Sequence, residues 1–481
     1  MSNDNFINDI HPLVRSFFPG EEIEVSYFPE DKESGIIADL SGDKDSGSDN
    51  STFRIRITRE TALILELSLA DISDNDRLRM KNILKCRLYE ELSEKTGISL
   101  PWGTLTGIRP VRLAMNHLRE GFSYEETVEH MESFYLVSPG KSVLASDIAV
   151  KELNIIKEVN TPDSFSLYIG IPFCPTTCLY CSFTSNAIGL WKTRVGDYLD
   201  CLEMELRLVS ELFSLRKPVS IYIGGGTPTT LNEEELKRLF DSVHRLFDLD
   251  SIREFTVEAG RPDSITKEKL RILKENGADR ISVNPQSMNQ ETLKIIGRQH
   301  SAEDTVRAFN DARDAGFDNI NMDIILGLPG EGEKEVSHTI SEIAKLKPDD
   351  LTVHSLAVKR GSRLMEEIER YKVYSNSNTD VMMETAASGA REMGLLPYYL
   401  YRQKNMSGNF ENTGWARPGK EGIYNILMME EVHSIPAVGA GTVSKCVHTG
   451  NDIRRNGNVK DVAEYISRID EMLLRKRMLF A

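Results

Sequence analysis

Three cysteines fall within one short loop: Cys174, Cys178 and Cys181, in the stretch YIGIPFCPTTCLYCSF from Tyr168 to Phe183. The spacing is C-x3-C-x2-C, with no fourth cysteine and no histidine in the loop. Three thiolates on one loop can hold three irons of a [4Fe–4S] cluster. The fourth iron is then left without a protein ligand, and an open site separates a reactive metal centre from a closed structural one. A structural zinc would instead need a fourth ligand from elsewhere in the chain. Cys86, Cys201 and Cys446 stand alone and read as small buried side chains.

The cysteine loop directly follows an apolar run, SLYIGIP, the first of six. The others are SIYIGGG, EFTVEAG, RISVNP, NINMDIILGLP and DDLTVHSLAV. Helical patterns such as TKEKLRILKENGA and AEDTVRAFNDARDAG fit between them. Strand then helix, repeated, predicts parallel strands joined by crossover helices. The expected fold is α/β, a partial (β/α)6 TIM-type barrel over 161–358. In such folds the chemistry gathers at the carboxyl ends of the strands. The unusual residues lie at those ends: GGGTPT (Gly224–Thr229) after the second run, Glu258 after the third and Gln286 after the fourth. Arg298 follows in GRQH, and Asp323 is on the fifth run. A glycine run after a strand exposes backbone groups and admits a ligand closely. Together these residues point to one shared site.

Residues 1–160 read as a separate α+β domain with a helical connector. Its strand-like runs are EIEVSYFP, SGIIADLSG and TFRIRITRETALILELSLA, and a helical pattern covers about Asp74–Thr96. LPWGTLTGIRP (Leu100–Pro110) reads as a turn. Residues 359–481 read as a C-terminal α+β extension that covers the substrate and ends in a helix around Val459–Leu479. The chain has 481 residues and a formal net charge of -16, which argues against general affinity for nucleic acid. No window approaches the ~20 apolar residues of a membrane span. The opening MSNDNFINDIHPLV lacks a signal-peptide pattern, so a cytoplasmic protein is expected, and clustered thiols there read as ligands.

The three-cysteine pattern, with Tyr180 before its last cysteine, resembles the radical S-adenosylmethionine (SAM) superfamily. That resemblance implies a [4Fe–4S] cluster on Cys174, Cys178 and Cys181 whose open iron chelates SAM. LYIGIPFC, GGGTPT, the strand-three glutamate, RISVNPQSMNQETLKIIGRQH and MDIILGLPGE are similar, in order, to the oxygen-independent coproporphyrinogen III dehydrogenases (oxidases). The long N-terminal unit, LPWGTLTGIRP and YYLYRQKNMSGNFENTGWARPGKEGIYNIL resemble the HemZ-like subgroup of that family. By this resemblance Tyr168, Tyr180, Gly225, Gly226, Thr227, Glu258, Gln286, Arg298, Asp323 and Ala357 would bind SAM, one molecule or two. The implied reaction is oxidative decarboxylation of two propionates to vinyl groups. The implied partners are a tetrapyrrole substrate and an electron donor such as flavodoxin or ferredoxin, with the protein expected as a monomer.

A tetracarboxylate substrate needs cations, and arginine binds carboxylates bidentately. Lys359, Arg360, Arg402 and Arg417 are the candidates, with Lys404 and Lys420 beside them. The chain also departs from the family. Gly170 and Phe183 stand where its best-known enzymes have a histidine and a further cysteine. GIYNILMM keeps Asn425 but lacks the rest of the His-Asn…Tyr-Trp motif of heme-trafficking relatives.

Overall fold

The computed structural model describes residues 7–18, 23–29, 53–59, 62–68, 77–107, 109–183, 185–359, 361–371, 378–403, 410–448 and 452–480. The chain divides into two compact units, Met1–Ser146 and Asp147–Ala481.

In the first unit, β1 (Ile23–Pro29), β2 (Phe53–Arg59) and β3 (Ala62–Ser68) form an antiparallel sheet in that order. The single run TFRIRITRETALILELSLA is therefore a hairpin, β2 and β3, with Arg59 paired to Ala62. SGIIADLSG lies outside the described residues. Ile10, Leu13, Val14 and Phe17 sit one helical turn apart and bury against Leu84, Leu88 and Leu92 of the helix Arg77–Thr96. LPWGTLTGIRP forms a tight turn at Pro101–Thr104: Trp102 is fully buried, and the Thr104 amide donates to the Tyr135 carbonyl at 2.9 Å.

The second unit carries the site. Its parallel strands are β4 (Ser164–Ile171), β5 (Lys217–Gly225), β6 (Glu254–Glu258), β7 (Arg280–Ser282), β8 (Ile320–Leu326) and β9 (Asp350–Ser355), neighbours in chain order. All six runs become strands. Helices connect them, including Val195–Leu212, Glu233–Leu246 and Ala302–Asp314. Reciprocal capping boxes start two of these, Asn232 with Glu235 and Ser301 with Asp304.

Alternation along the strands explains the wrapping. Leu167, Ile169, Ile171, Ile221, Ile223, Phe255, Val257, Ile281, Met322, Ile324, Leu351 and Val353 join the apolar core with the helices. The residues between them, Tyr168, Tyr222, Thr256, Glu258, Ser282, Asn321, Asp323, Thr352 and His354, take the opposite, concave face. Beyond β9 lie β10 (Leu396–Tyr401) and β11 (Asn412–Ala416), the latter antiparallel to β9. At the other edge β12 (Ala437–Val438) pairs parallel with β4. A hairpin, β13 (Val443–Val447) and β14 (Ile453–Gly457), follows. The expected final helix is two, Val462–Ser467 and Ile469–Phe480. No helix among the described residues is long and apolar enough to cross a membrane.

Candidate active site

The cysteine loop leaves β4 at its carboxyl end. The Leu179 amide donates to the Ile296 carbonyl at 3.0 Å, and the Leu364 amide donates to Leu179 at 2.9 Å. Beneath it Leu179 packs with Leu293, Ile296, Ile325, Leu328, Leu356 and Leu364. Cys178 is buried; Cys174 and Cys181 are half-buried. Two of the thiols meet a hydrogen-bond donor. The Thr227 hydroxyl lies 3.6 Å from Cys174 Sγ, and Arg261 Nη1 lies 3.8 Å from Cys178 Sγ. Burial pushes the Cys174 thiol up to about 11, against the Thr227 hydrogen bond, so ligation there has to displace a proton. Burial raises the Cys181 thiol as well.

The glycine run clasps this loop. The amides of Gly226 and Thr227 donate to the carbonyls of Ile171 (2.8 Å) and Phe173 (2.7 Å). A Cβ on Gly226 would lie 2.5 Å from the Phe173 carbonyl oxygen. Gly225 has φ +101°, and its amide donates to Glu258 Oε2 at 3.1 Å. The other Glu258 oxygen accepts from the Tyr222 hydroxyl at 2.6 Å. Burial pushes the Glu258 carboxyl up to about 7, despite the hydrogen bond from Tyr222. The Tyr168 hydroxyl faces Gly225.

Further round the face, Gln286 has φ +65°, a left-handed conformation costly for a residue with a side chain. It holds there because its amide donates to the Asp323 carbonyl (2.9 Å) and its carbonyl accepts from the Ile325 amide (3.0 Å). Asp323 accepts from Asn284 and Asn321, each at 2.7 Å. Burial would raise its carboxyl, but His354, 3.8 Å away, and the hydrogen-bond donors around it hold it below the usual value. Arg298 is buried, donating to the Tyr180 hydroxyl (3.1 Å) and the Asn284 carbonyl (2.5 Å). Ala357 is half-buried, two residues past β9.

Among the described residues the proposed cations divide between the two ends of the strands. Because β11 runs antiparallel to β9, Ala416 pairs with Asp350, and Arg417 emerges at the amino ends of the strands. There it pairs with Asp349 at 3.7 Å, and Lys420 pairs with Asp318 at 2.9 Å. Neither lies with the cysteine loop. Lys359 does: its Nζ lies 5.5 Å from the centre of the Phe183 ring. Arg402 follows β10 at the carboxyl-end side and is buried near Glu411. Arg360 and Lys404 lie outside the described residues.

Several residues had no role in the sequence reading. Arg261 follows directly on EFTVEAG, and a charge just past a strand end is the signal that marks it. Tyr424 stacks on Tyr222 at 4.5 Å and on Tyr168 at 6.1 Å, reaching the concave face from a distant segment that no local pattern reveals. Its helix, Ile423–Glu430, presents the Ile423 amide to Glu254. Asn425 donates to the Tyr398 hydroxyl (3.3 Å), which donates to Asp350 (2.7 Å). Arg280 joins Asp350 at 2.6 Å, so this group fills the amino end of the barrel. The departure at Gly170 also has a cause. A Cβ there would lie 2.5 Å from Thr442 Cγ2, so the C-terminal segment occupies the space.

The residues fit an iron–sulfur cluster and a bound cofactor. Cys174 and Cys178 come with donors suited to thiolate sulfur, and Arg298 Nε is buried without a hydrogen-bond partner. Among the described residues no three His, Cys, Asp or Glu side chains converge on a single ion. A cubane instead spreads its thiolates over separate irons.

A three-thiol loop on a six-stranded parallel half-barrel defines a class, and the profile of the Radical SAM superfamily matches residues 168–343. Over 407 residues the chain is 44% identical to the oxygen-independent coproporphyrinogen-III oxidase-like protein HemZ of Bacillus subtilis (strain 168), covering 83% of this chain and 81% of that protein. The chain belongs to the radical SAM superfamily and, within it, to the HemZ-like group of the oxygen-independent coproporphyrinogen III oxidase family. It is 41% identical over 197 residues to the heme chaperone HemW of the same organism, over 40% of this chain and 51% of that protein. In fold it is similar to the coproporphyrinogen III oxidase HemN of Escherichia coli, with a TM-score of 0.52 and 23% identity over 66% of this chain and 72% of that one. Superfamily membership implies a [4Fe–4S] cluster and SAM.

Proposed function

We propose that the protein is an anaerobic radical SAM enzyme that decarboxylates the propionates of coproporphyrinogen III to vinyl groups, giving protoporphyrinogen IX. The observation that carries this reading is the placement of the polar face: Glu258, Asp323, Gln286 and Arg298 gather at the same strand ends as the three-thiol loop. Cys174, Cys178 and Cys181 hold the cluster. A cluster on these thiolates and SAM would supply the one-electron chemistry that takes a hydrogen atom from the propionate β-carbon; CO2 would then leave and one electron pass to an external acceptor to give the vinyl group. Tyr168, Tyr180, the Gly225–Thr227 backbone, Glu258, Gln286, Arg298, Asp323 and Ala357 bind and orient SAM, using hydrogen-bonding groups fixed by the ladders described above. Tyr424, Tyr168 and Tyr222 exclude water from below. Lys359, Arg360 and Arg402 neutralise substrate carboxylates, while Arg417 is left out because it pairs with Asp349. The segment from 359 onward covers the substrate, and an electron donor such as flavodoxin or ferredoxin reduces the cluster.

The second reading is heme trafficking with little turnover. It is favoured by Phe183, 69% exposed where decarboxylating relatives keep a cysteine. Against it, Asn425 is engaged by Tyr398. The test is anaerobic turnover of reconstituted protein with reductant, SAM and coproporphyrinogen III. Protoporphyrinogen and 5′-deoxyadenosine are expected together, and neither from Cys178→Ala. Deoxyadenosine without a porphyrin product refutes the substrate; tight heme binding without either product refutes the enzyme.

A further inference from the structure

We propose that Arg261, set by its partner Asp263, tunes the reduction potential of the cluster; this rests on the reading that Cys174, Cys178 and Cys181 hold one. Arg261 comes two residues after Ala259, at the carboxyl end of β6. Its side chain is 3% exposed. One edge of the guanidinium is fixed by Asp263: Nε donates to Oδ1 at 2.9 Å and Nη2 to Oδ2 at 2.6 Å. That fork aims Nη1 at the cysteine loop. There it reaches the Thr176 carbonyl (3.0 Å), the Thr176 hydroxyl (2.8 Å) and Cys178 Sγ (3.8 Å).

Reduction adds one negative charge to the cluster and its thiolates. A buried cation at a ligand sulfur favours that state and raises the potential, because the field is little screened by water. Asp263 lies on the far side of the guanidinium and partly cancels its charge. A loop brace alone would use the same Thr176 contacts, and losing either Arg261 or its orienting partner Asp263 would then loosen the loop in the same sense. The pair therefore makes a prediction of sign. Removing the cation lowers the potential, and neutralising its carboxylate raises it. Loosening of the loop does not produce opposite shifts from two adjacent partners.

The experiment uses the full chain, reconstituted anaerobically, with iron and sulfide counted and the reduced cluster followed by EPR during a redox titration. A wild-type protein that assembles no [4Fe–4S] cluster refutes the cluster reading itself. Given a cluster, Arg261→Gln should show at least a tenfold lower ratio of reduced to oxidised cluster at the wild-type midpoint, about 59 mV for a one-electron couple. Asp263→Asn should shift the opposite way. Thr176→Ala, which removes the hydroxyl that accepts from Arg261 and donates to the Gly297 carbonyl but no charge, should leave the potential in place. Unchanged potentials in both partners, shifts of one sign, or a Thr176→Ala shift as large as that of Arg261→Gln overturn the proposal. Should Arg261→Gln fail to hold a cluster, Asp263→Asn decides: a positive shift upholds the role, and any other result overturns it.

Discussion

Gly226→Ala tests how the glycine run positions the cysteine loop. The added Cβ would lie 2.5 Å from the Phe173 oxygen, 2.7 Å from the Ile171 oxygen and 3.0 Å from the Phe173 nitrogen. All three are backbone atoms of the segment that leads into Cys174, so no rotamer change relieves them. Relief requires moving that segment away. The move gives up the Gly226–Ile171 and Thr227–Phe173 hydrogen bonds, at 2.8 and 2.7 Å. Each contributes roughly 1 kcal/mol net, and residual overpacking adds about 1–3 kcal/mol. Allowing for partial relaxation, the cost is about 2–4 kcal/mol. The displaced Cys174 also loses the Thr227 hydroxyl. Cluster affinity should fall by more than about tenfold, since 1.4 kcal/mol is a factor of ten. The assay is iron and sulfide content after anaerobic reconstitution, with thermal unfolding of the apoprotein alongside. Gly189→Ala is the control, because a Cβ there meets nothing within 4 Å. Iron content and melting equal to the control would refute the clamp.

Two further predictions follow from the concave face. Asp350→Asn leaves Arg280 buried without its carboxylate, where the pair is 2% and 0% exposed, and should destabilise the protein by about 3–5 kcal/mol; a denaturant-midpoint change worth under about 1 kcal/mol refutes this. Glu258 binds its proton more tightly folded, near pH 7, than at its ordinary value of 4.5. Between those values the folded state holds the proton that the unfolded state has lost. Apoprotein stability should therefore decline as pH rises from 4.5 to 7, by at most about 1.4 kcal/mol per pH unit from this group, and level off above. Glu258→Gln should flatten that decline in denaturation series at pH 5, 6 and 7.5; an identical slope refutes it.

The barrel was legible because its strands carry two patterns at once. In SLYIGI, SIYIGG and EFTVE, apolar residues alternate with tyrosine, glycine and glutamate, so each strand announces both a core face and a polar face. The cysteine spacing is local chemistry, and together with its place directly after the first strand of a strand–helix repeat it pointed to the class. Glu258, Gln286 and Asp323 were found because strand ends of a parallel sheet share one side.

Other features depend on contacts between distant segments. The split of TFRIRITRETALILELSLA into two strands came from pairing, since both halves carry the same β-branched and apolar character. Arg417 seemed a substrate anchor by composition alone; the antiparallel direction of β11 sends it to the opposite end, to Asp349. Tyr424 reaches Tyr222 from some two hundred residues further along the chain. Gly170 has its reason in Thr442.

By itself the sequence determined the residue chemistry and the alternation that sorts side chains onto two faces of a strand, because both are set by near neighbours in the chain. Strand direction, the convergence of Arg261 on Cys178 and the filling of the barrel's amino end belong to tertiary structure. They depend on which distant segments pack together, and only the folded chain fixes those distances.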